Sequence, residues 1–286
     1  MEKIRIGDRV FDTAVHTYIM GILNVTPDSF SDGGKWNRFD EALRHTEEMI
    51  AEGADIIDVG GESTRPGYTQ ITGQEEIERV APVIEAIKER FDIPISLDTY
   101  KAGVAEAGLS AGADLLNDIW GLKYGWKGEE GWHSKLADVI AAHNAACCLM
   151  HNRDQEGYRD LMQELKQDLQ ESIRLAEEAG IRKDGIVLDP GVGFGKSYEN
   201  NLEVIRRAGE LRELGYPVLL GTSRKSVIGL TLNLPASERL EGTLATTVYA
   251  VAQHCGFVRV HDVKENSRII RMAEAIRDGN GNLAAV

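Results

Sequence analysis

Eight short apolar runs along the chain each close on a polar residue: Asn24, Asp58, Asp98, Asn117, His151, Asp189, Ser223 and His261. One such residue is ordinarily a turn-former or a helix cap. Eight on one rim point to a site. Asp98, Asn117 and Asp189 suit a planar heterocycle that presents amino and amide N–H groups. A partly buried carboxylate must be hydrogen-bonded, and it can accept two parallel donors from such an edge. A second group, Lys225, Arg259, His261 and Arg65 with Asn24, suits an anionic leaving group, phosphate or pyrophosphate bound with a cation. In FVRVHD (257–262), strand alternation sends Arg259 and His261 to the same side. Structural ion pairs across the rim are the alternative reading of the same charges.

The loops that follow these residues add further chemistry. NVTPDSFSDGGKW (24–36) is long for a strand-to-helix loop and carries Phe30 at its middle, which suits a mobile lid. In GGESTRPG (60–67), glycines let the backbone approach a ligand, and Thr64 and Arg65 supply a hydroxyl and a cationic fork. DPGVGFGKS (189–197) fails two nucleotide motifs. Pro190 stands where a Walker A loop needs its first Gly, and Lys196 where a dinucleotide fingerprint needs its third. What remains is a Gly-rich turn presenting Asp189 and Phe194. GTSRKS (221–226) groups Ser223, Arg224 and Lys225 near a strand end.

Short β-rich runs position all of these: 17–24, 54–60, 94–98, 114–118, 145–151, 185–189, 217–223 and 257–261. Each is nearly continuously apolar, as in a parallel sheet covered on both faces. Between them lie helical periodicities. Phe39, Ala42, Leu43, Thr46, Met49 and Ile50 form one core-facing stripe, and Ile77, Val80, Ala81, Ile84 and Ile87 a second. The longest stripe, Tyr158, Leu161, Met162, Leu165, Leu169 and Ile173, follows the fifth strand. Later helices are predicted over 199–214, 236–254 and 263–278. Eight strand–helix units without a Rossmann fingerprint predict a (β/α)8 TIM barrel. IRIGDRVFD (4–12) predicts a short N-terminal β-hairpin covering the barrel's amino-terminal mouth. With no linker-like stretch, residues 1–286 are expected to form a single domain.

Of the 286 residues, 42% are hydrophobic and 27% charged, and the net charge is −14. Such acidity argues against a nucleic-acid or membrane-surface partner, since both are polyanionic. Three cysteines without metal spacing, Cys147, Cys148 and Cys255, are expected to be buried and reduced. A charged amino terminus and the lack of any apolar run near about 20 residues predict a cytoplasmic protein.

The loop sequences resemble those of the dihydropteroate synthase family, transferases of folate biosynthesis. GILNVTPDSFSDGG (21–34) resembles the family's first loop and DVGGESTRPG (58–67) its second. Residues 97–121, 149–153, 189–197, 221–229 and 258–263 follow in the family's order. The resemblance implies condensation of 6-hydroxymethyl-7,8-dihydropterin diphosphate with p-aminobenzoate, giving 7,8-dihydropteroate and pyrophosphate. It further implies a pterin pocket of Asp98, Asn117, Asp189 and Lys225, lined by Ile119, Met150 and Phe194, with Arg259 beside the ring. Asn24 would help hold Mg²⁺ against the pyrophosphate, which Arg259 and His261 would also contact. Thr64, Arg65, Pro66 and Ser223 would border the p-aminobenzoate site, closed by Phe30. The family also implies a homodimer. A pterin-dependent methyltransferase, or a pterin-binding protein without turnover, is the rival reading. The methyltransferase would not need the Thr-Pro-Asp-Ser-Phe run at 26–30 or the Ser-Arg-Lys group at 223–225, and against the binding protein all catalytic-type positions are occupied. The segment 121–135 is longer and richer in Gly and Trp than the resemblance leads one to expect.

Overall fold

The computed structural model describes residues 2–26, 35–62, 70–127, 132–154 and 156–279, with only the backbone of 35–38. All eight predicted strands are present: β3 (Tyr18–Asn24), β4 (Ile56–Gly60), β5 (Ile95–Asp98), β6 (Leu115–Asp118), β7 (Ala146–Met150), β8 (Ile186–Asp189), β9 (Leu219–Leu220) and β10 (Phe257–Val260). They form one parallel sheet in the order β8-β7-β6-β5-β4-β3-β10-β9. A parallel bridge between Leu188 and Val218 brings its two edges together, so the sheet curls into the expected barrel. The predicted hairpin, β1 (Lys3–Ile6) with β2 (Arg9–Asp12), is antiparallel.

Helices alternate with the strands: α1 (Lys35–Glu52), α2 (Gly73–Arg90), α3 (Ala102–Ser110), α4 (Lys135–Ala142), α5 (Leu161–Glu178), α6 (Tyr198–Arg207), α7 (Ser226–Leu232), α8 (Leu240–Ala252) and α9 (Val263–Asp278). Their starts are written in local chemistry. The side chains of Thr72, Ser134, Asp160 and Ser197 each accept a hydrogen bond from a first-turn N–H of α2, α4, α5 and α6. In α5 the predicted stripe Leu161, Met162, Leu165, Leu169 and Ile173 is buried, while Tyr158 lies ahead of the helix. The helix predicted over 199–214 ends at Arg207 and continues as a tighter 3-10 turn to Leu214. α3, α4 and α7 lie within none of the predicted stripes or ranges, and α7 is the one whose local signal is weakest. Its run Ser-Val-Ile-Gly-Leu-Thr-Leu is rich in weak helix formers, so tertiary packing rather than propensity makes it helical.

Strand alternation sorts the side chains into layers. Outward residues such as Ile57, Val59, Leu97, Leu116, Leu149, Leu188, Val258 and Val260 join the helices in one large core. Inward residues Met20, Ile56, Leu115, Ala146, Cys148, Val187, Leu219 and Phe257 fill the barrel. Ile4, Ile6 and Phe11 of the hairpin pack into them from the amino-terminal end. Ile119 and Met150 form a third cluster with Tyr100, flanked by Trp120 and Phe194, at the opposite mouth.

Candidate active site

Continuing the inward positions toward the carboxyl ends of the strands replaces apolar side chains with polar ones. Asp58 lies inside β4 rather than at its end, and is wholly buried. Its Oδ1 accepts from the Ser96 hydroxyl (2.5 Å), and its Oδ2 accepts from Nε of Arg259 (2.6 Å). A second guanidinium nitrogen of Arg259 donates to Asp98 Oδ2 (2.7 Å). One arginine thus ties two buried carboxylates together across the barrel. An ion pair taken out of water needs such filled geometry to be tolerated. Burial pushes Asp98 up to about 7, with Arg259 opposing the shift and Asp58 adding to it.

Glycines leave room between the polar groups. Gly60 separates Asn24 from Asp98: a Cβ there would lie 3.7 Å from both Asn24 Oδ1 and Asp98 Cβ. Gly221 sits likewise between Asp189 Oδ2 and Arg259 Cβ, at 3.6 and 3.8 Å. Asn117, buried in β6, pairs in register with Asp98. Asp189 ends β8, and its Oδ1 accepts from the N–H of Gly191 (2.7 Å). Burial raises its pKa, against Lys225 and that backbone bond.

Lys225 is the residue before α7. Its ammonium donates to the Val192 carbonyl (2.5 Å) and lies 4.9 Å from the centre of the Phe194 ring. Burial lowers it to about 8, with Asp189 opposing and Arg259 reinforcing. Arg224 is left-handed at φ 58°, a conformation that non-glycine residues seldom adopt. It turns away to pair with Asp262, leaving the neighbouring Ser223 and Lys225 to the site. Ser223 and His261 are joined at 2.9 Å between Oγ and Nδ1, and the Ser223 oxygen also accepts from the His261 N–H (3.2 Å).

The expected residues therefore converge. Asn24, Asp98, Asn117, Asp189, Lys225 and Arg259 gather at the carboxyl-terminal mouth, Ile119, Met150 and Phe194 cluster beside them, and Ser223 and His261 pair nearby. Arg259 pairs with Asp58 and Asp98, and His261 with Ser223. Phe30, Thr64, Arg65 and Pro66 lie outside the described residues. His151, Ser223 and His261 stand just past their strands rather than at their ends. Two groups were not assigned from sequence. Asp58 was visible only as one more polar residue in a strand, and Lys196 only as a misfit in a nucleotide motif. At the entry to the unusual 121–135 segment, Asp118 accepts from the N–H groups of Trp120 (2.9 Å) and Leu122 (2.5 Å) and holds the turn. Within the segment, Tyr124 packs on Tyr100 with ring centres 4.5 Å apart.

Known proteins share this architecture. The profile of the pterin binding enzyme family matches residues 20–261. The chain is 58% identical over 274 residues to a dihydropteroate synthase of Clostridium beijerinckii, covering 96% of this chain and 99% of the relative. It is 51% identical to that of Bacillus subtilis, covering 93% and 90%. A Clostridium difficile dihydropteroate synthase solved in the presence of pteroic acid superposes with a TM-score of 0.87 at 53% identity, over 93% of this chain and 98% of that one. The Xanthomonas albilineans enzyme with 4-aminobenzoic acid superposes with a TM-score of 0.88 at 37% identity, over 96% and 98%. By sequence along nearly its whole length and by fold, the chain belongs to the dihydropteroate synthase family of pterin-binding enzymes.

Proposed function

We propose that this chain condenses 6-hydroxymethyl-7,8-dihydropterin diphosphate with p-aminobenzoate, giving 7,8-dihydropteroate and pyrophosphate, at the carboxyl-terminal mouth of the barrel. The observation that carries the assignment of residues is the inward layer in which Asp98 and Asp189 are buried beside glycine gaps, with Arg259 and Lys225 between and above them. Asp98, Asn117 and Asp189 accept the ring's N–H groups, and Ile119, Met150 and Phe194 cover its faces. Arg259 keeps Asp98 oriented and lies beside the ring. As the methylene C–O bond breaks, its electron pair leaves on the pyrophosphate oxygen. Positive charge then grows on the pterin, where the two carboxylates hold it more tightly than in the ground state. The arylamine lone pair forms the new C–N bond, and the acidic adduct gives its proton to solvent.

Lys225, Arg259 and His261 receive the negative charge of the diphosphate, and Ser223 fixes the imidazole. Thr64, Arg65 and Pro66 border the p-aminobenzoate with Ser223, and Phe30 closes over it. Asn24 offers one amide oxygen at the rim, and no cluster of three or more His, Cys, Asp or Glu suited to a metal occurs among the described residues. That donor set fits Mg²⁺, which keeps its waters and binds through substrate phosphates plus one or two protein oxygens. When bound, it neutralises charge on the pyrophosphate.

The enzyme acts as a cytoplasmic homodimer in this reading. Exposed Leu230, Leu232, Val248 and Tyr249 on α7 and α8 support the dimer, and three buried free cysteines fit a reducing compartment. Among the described residues no helix is long and apolar enough to cross a membrane. The deciding experiment supplies both substrates with Mg²⁺ and measures dihydropteroate and pyrophosphate together. Equal amounts of each are expected. Tight pterin binding without either product would overturn the reading.

A further inference from the structure

The turn 190–197 follows Asp189 and carries Phe194 and the Val192 carbonyl that holds Lys225. Lys196, at its end, has no part in the reaction described above, yet its side chain is buried beneath the turn at 6% exposure. In its protonated form a lysine ammonium has three protons and no lone pair, and Lys196 has three short contacts to fill. They go to Nδ1 of His151 (2.9 Å) and to the carbonyls of Gly191 (3.0 Å) and Phe194 (3.0 Å). Asp168 Oδ2 of α5, 3.0 Å from Nε2 of His151, is a carboxylate oxygen and can only accept, so a neutral ring carries its proton on Nε2 and leaves Nδ1 bare to accept from Lys196.

Burial drives His151 down to about 4, against the Asp168 hydrogen bond and with Lys196 reinforcing, so the ring is neutral at pH 7. Burial also lowers Lys196 to about 7, with Asp189 and Asp168 opposing and Lys225 and Arg153 reinforcing. Asp168 is held in turn by Nε of Arg153 (2.7 Å). The backbone of the turn lies flat on residues 151–153. Gly191 is left-handed (φ 69°), and a Cβ there would meet the His151 carbonyl oxygen at 1.9 Å. At Gly195 (φ 55°) a Cβ would meet the Arg153 carbonyl oxygen at 2.4 Å, and the Gly195 carbonyl accepts from the Tyr158 hydroxyl (2.9 Å).

We propose that Lys196, backed by His151 and Asp168, is a positioning residue that pins turn 190–197 from inside and so sets Phe194 and Lys225 for the pterin diphosphate. The proposal rests on the pterin-site reading above. The test compares Lys196→Met, which keeps length without donors, with His151→Phe, which keeps a ring without an acceptor. His151→Gln is the conservative variant, since its amide can accept from Lys196 and donate to Asp168. Calorimetric Kd for the pterin diphosphate is measured on the acid side of pH 7, beside KM for p-aminobenzoate.

Lys196→Met and His151→Phe should each weaken pterin diphosphate binding at least about tenfold, as expected when hydrogen bonds to a charged group are lost. The double variant should be little worse than either single one, because the two residues act in one network. KM for p-aminobenzoate should stay within about threefold, and His151→Gln should recover most of the affinity. Wild-type affinity in both single variants, or additive losses falling equally on the two substrates, would overturn the proposal. So would imidazole ¹⁵N shifts in the wild type showing a protonated Nδ1, a measurement that needs no variant to fold. Wild-type protein that binds the pterin diphosphate but forms no dihydropteroate would sink the assigned reaction, and the positioning role would still be decided by the affinities.

Discussion

The two mouths of the barrel are built from the same inward-facing strand positions and end in opposite chemistry. At the amino-terminal mouth those positions are Met20, Ile56, Leu115, Ala146, Val187, Leu219 and Phe257, sealed by Ile4, Ile6 and Phe11 of the hairpin. Two or four residues further along, the same strand faces carry Asn24, Asp58, Ser96, Asp98, Asn117, Asp189 and Arg259, with Gly60 and Gly221 leaving space. Burying apolar area stabilises the first end; burying carboxylates costs free energy at the second. That cost is tolerated because it leaves acceptors and cations preorganised, out of water, for a substrate.

The contrast predicts that variants at the two ends separate stability from activity. The largest effect belongs to the sealed end. Phe11→Ala should cost about 3–5 kcal/mol in chemical denaturation, as for other buried aromatics, with KM for both substrates unchanged in the folded protein. A comparable loss of substrate affinity in that variant would break the division. At the open end, Lys225→Ala removes a buried charged donor. It should weaken binding of the pterin diphosphate by about 1.5–3 kcal/mol, measured by calorimetry. Because the ammonium is lost as pH rises through about 8, wild-type affinity should fall on that alkaline side. The variant should not respond there.

Asp98→Asn should slow turnover at least about tenfold, roughly 1.4 kcal/mol of barrier, while leaving stability near pH 7 little changed. Its pH signature is more telling. The folded pKa of Asp98 is raised to about 7, so folding takes up a proton here. The associated stability is full below the unfolded carboxylate value of about 4, and is lost as pH rises through the folded value. Denaturation midpoints across that window should slope in the wild type and flatten in Asp98→Asn. Equal slopes would remove Asp98 as the titrating group. The smallest effect is expected for Ser223→Ala, which frees one side of His261. A loss of about 0.5–1.5 kcal/mol in pyrophosphate affinity, read by product inhibition, would match one ordinary hydrogen bond.

Much of this molecule was legible in its sequence, because strand and helix signals are local. Each strand announced itself as a short apolar run, and three of the core helices, α1, α2 and α5, as stripes three or four residues apart. The polar ends of those runs marked the site because alternating strand–helix units bring all carboxyl ends to one rim. Less legible were the elements whose local signal is weak. α7 was hidden by Gly229 and its β-branched neighbours, and the seventh strand shrank from 217–223 to Leu219–Leu220. The 63–69 and 27–34 loops, which hold Thr64, Arg65, Pro66 and Phe30, remain as the sequence presents them.

The sequence by itself determined which residue types face which layer, since the two-residue strand period and the helical stripe are properties of neighbouring positions. Only the tertiary structure decided the partners. Arg259 bridges Asp58 and Asp98 from 201 and 161 residues away, and Lys196 reaches His151 from 45. No spacing in the chain encodes such pairs. They exist because closing the barrel brings distant strand ends to within hydrogen-bonding distance, where burial makes an unpaired charge too costly to leave.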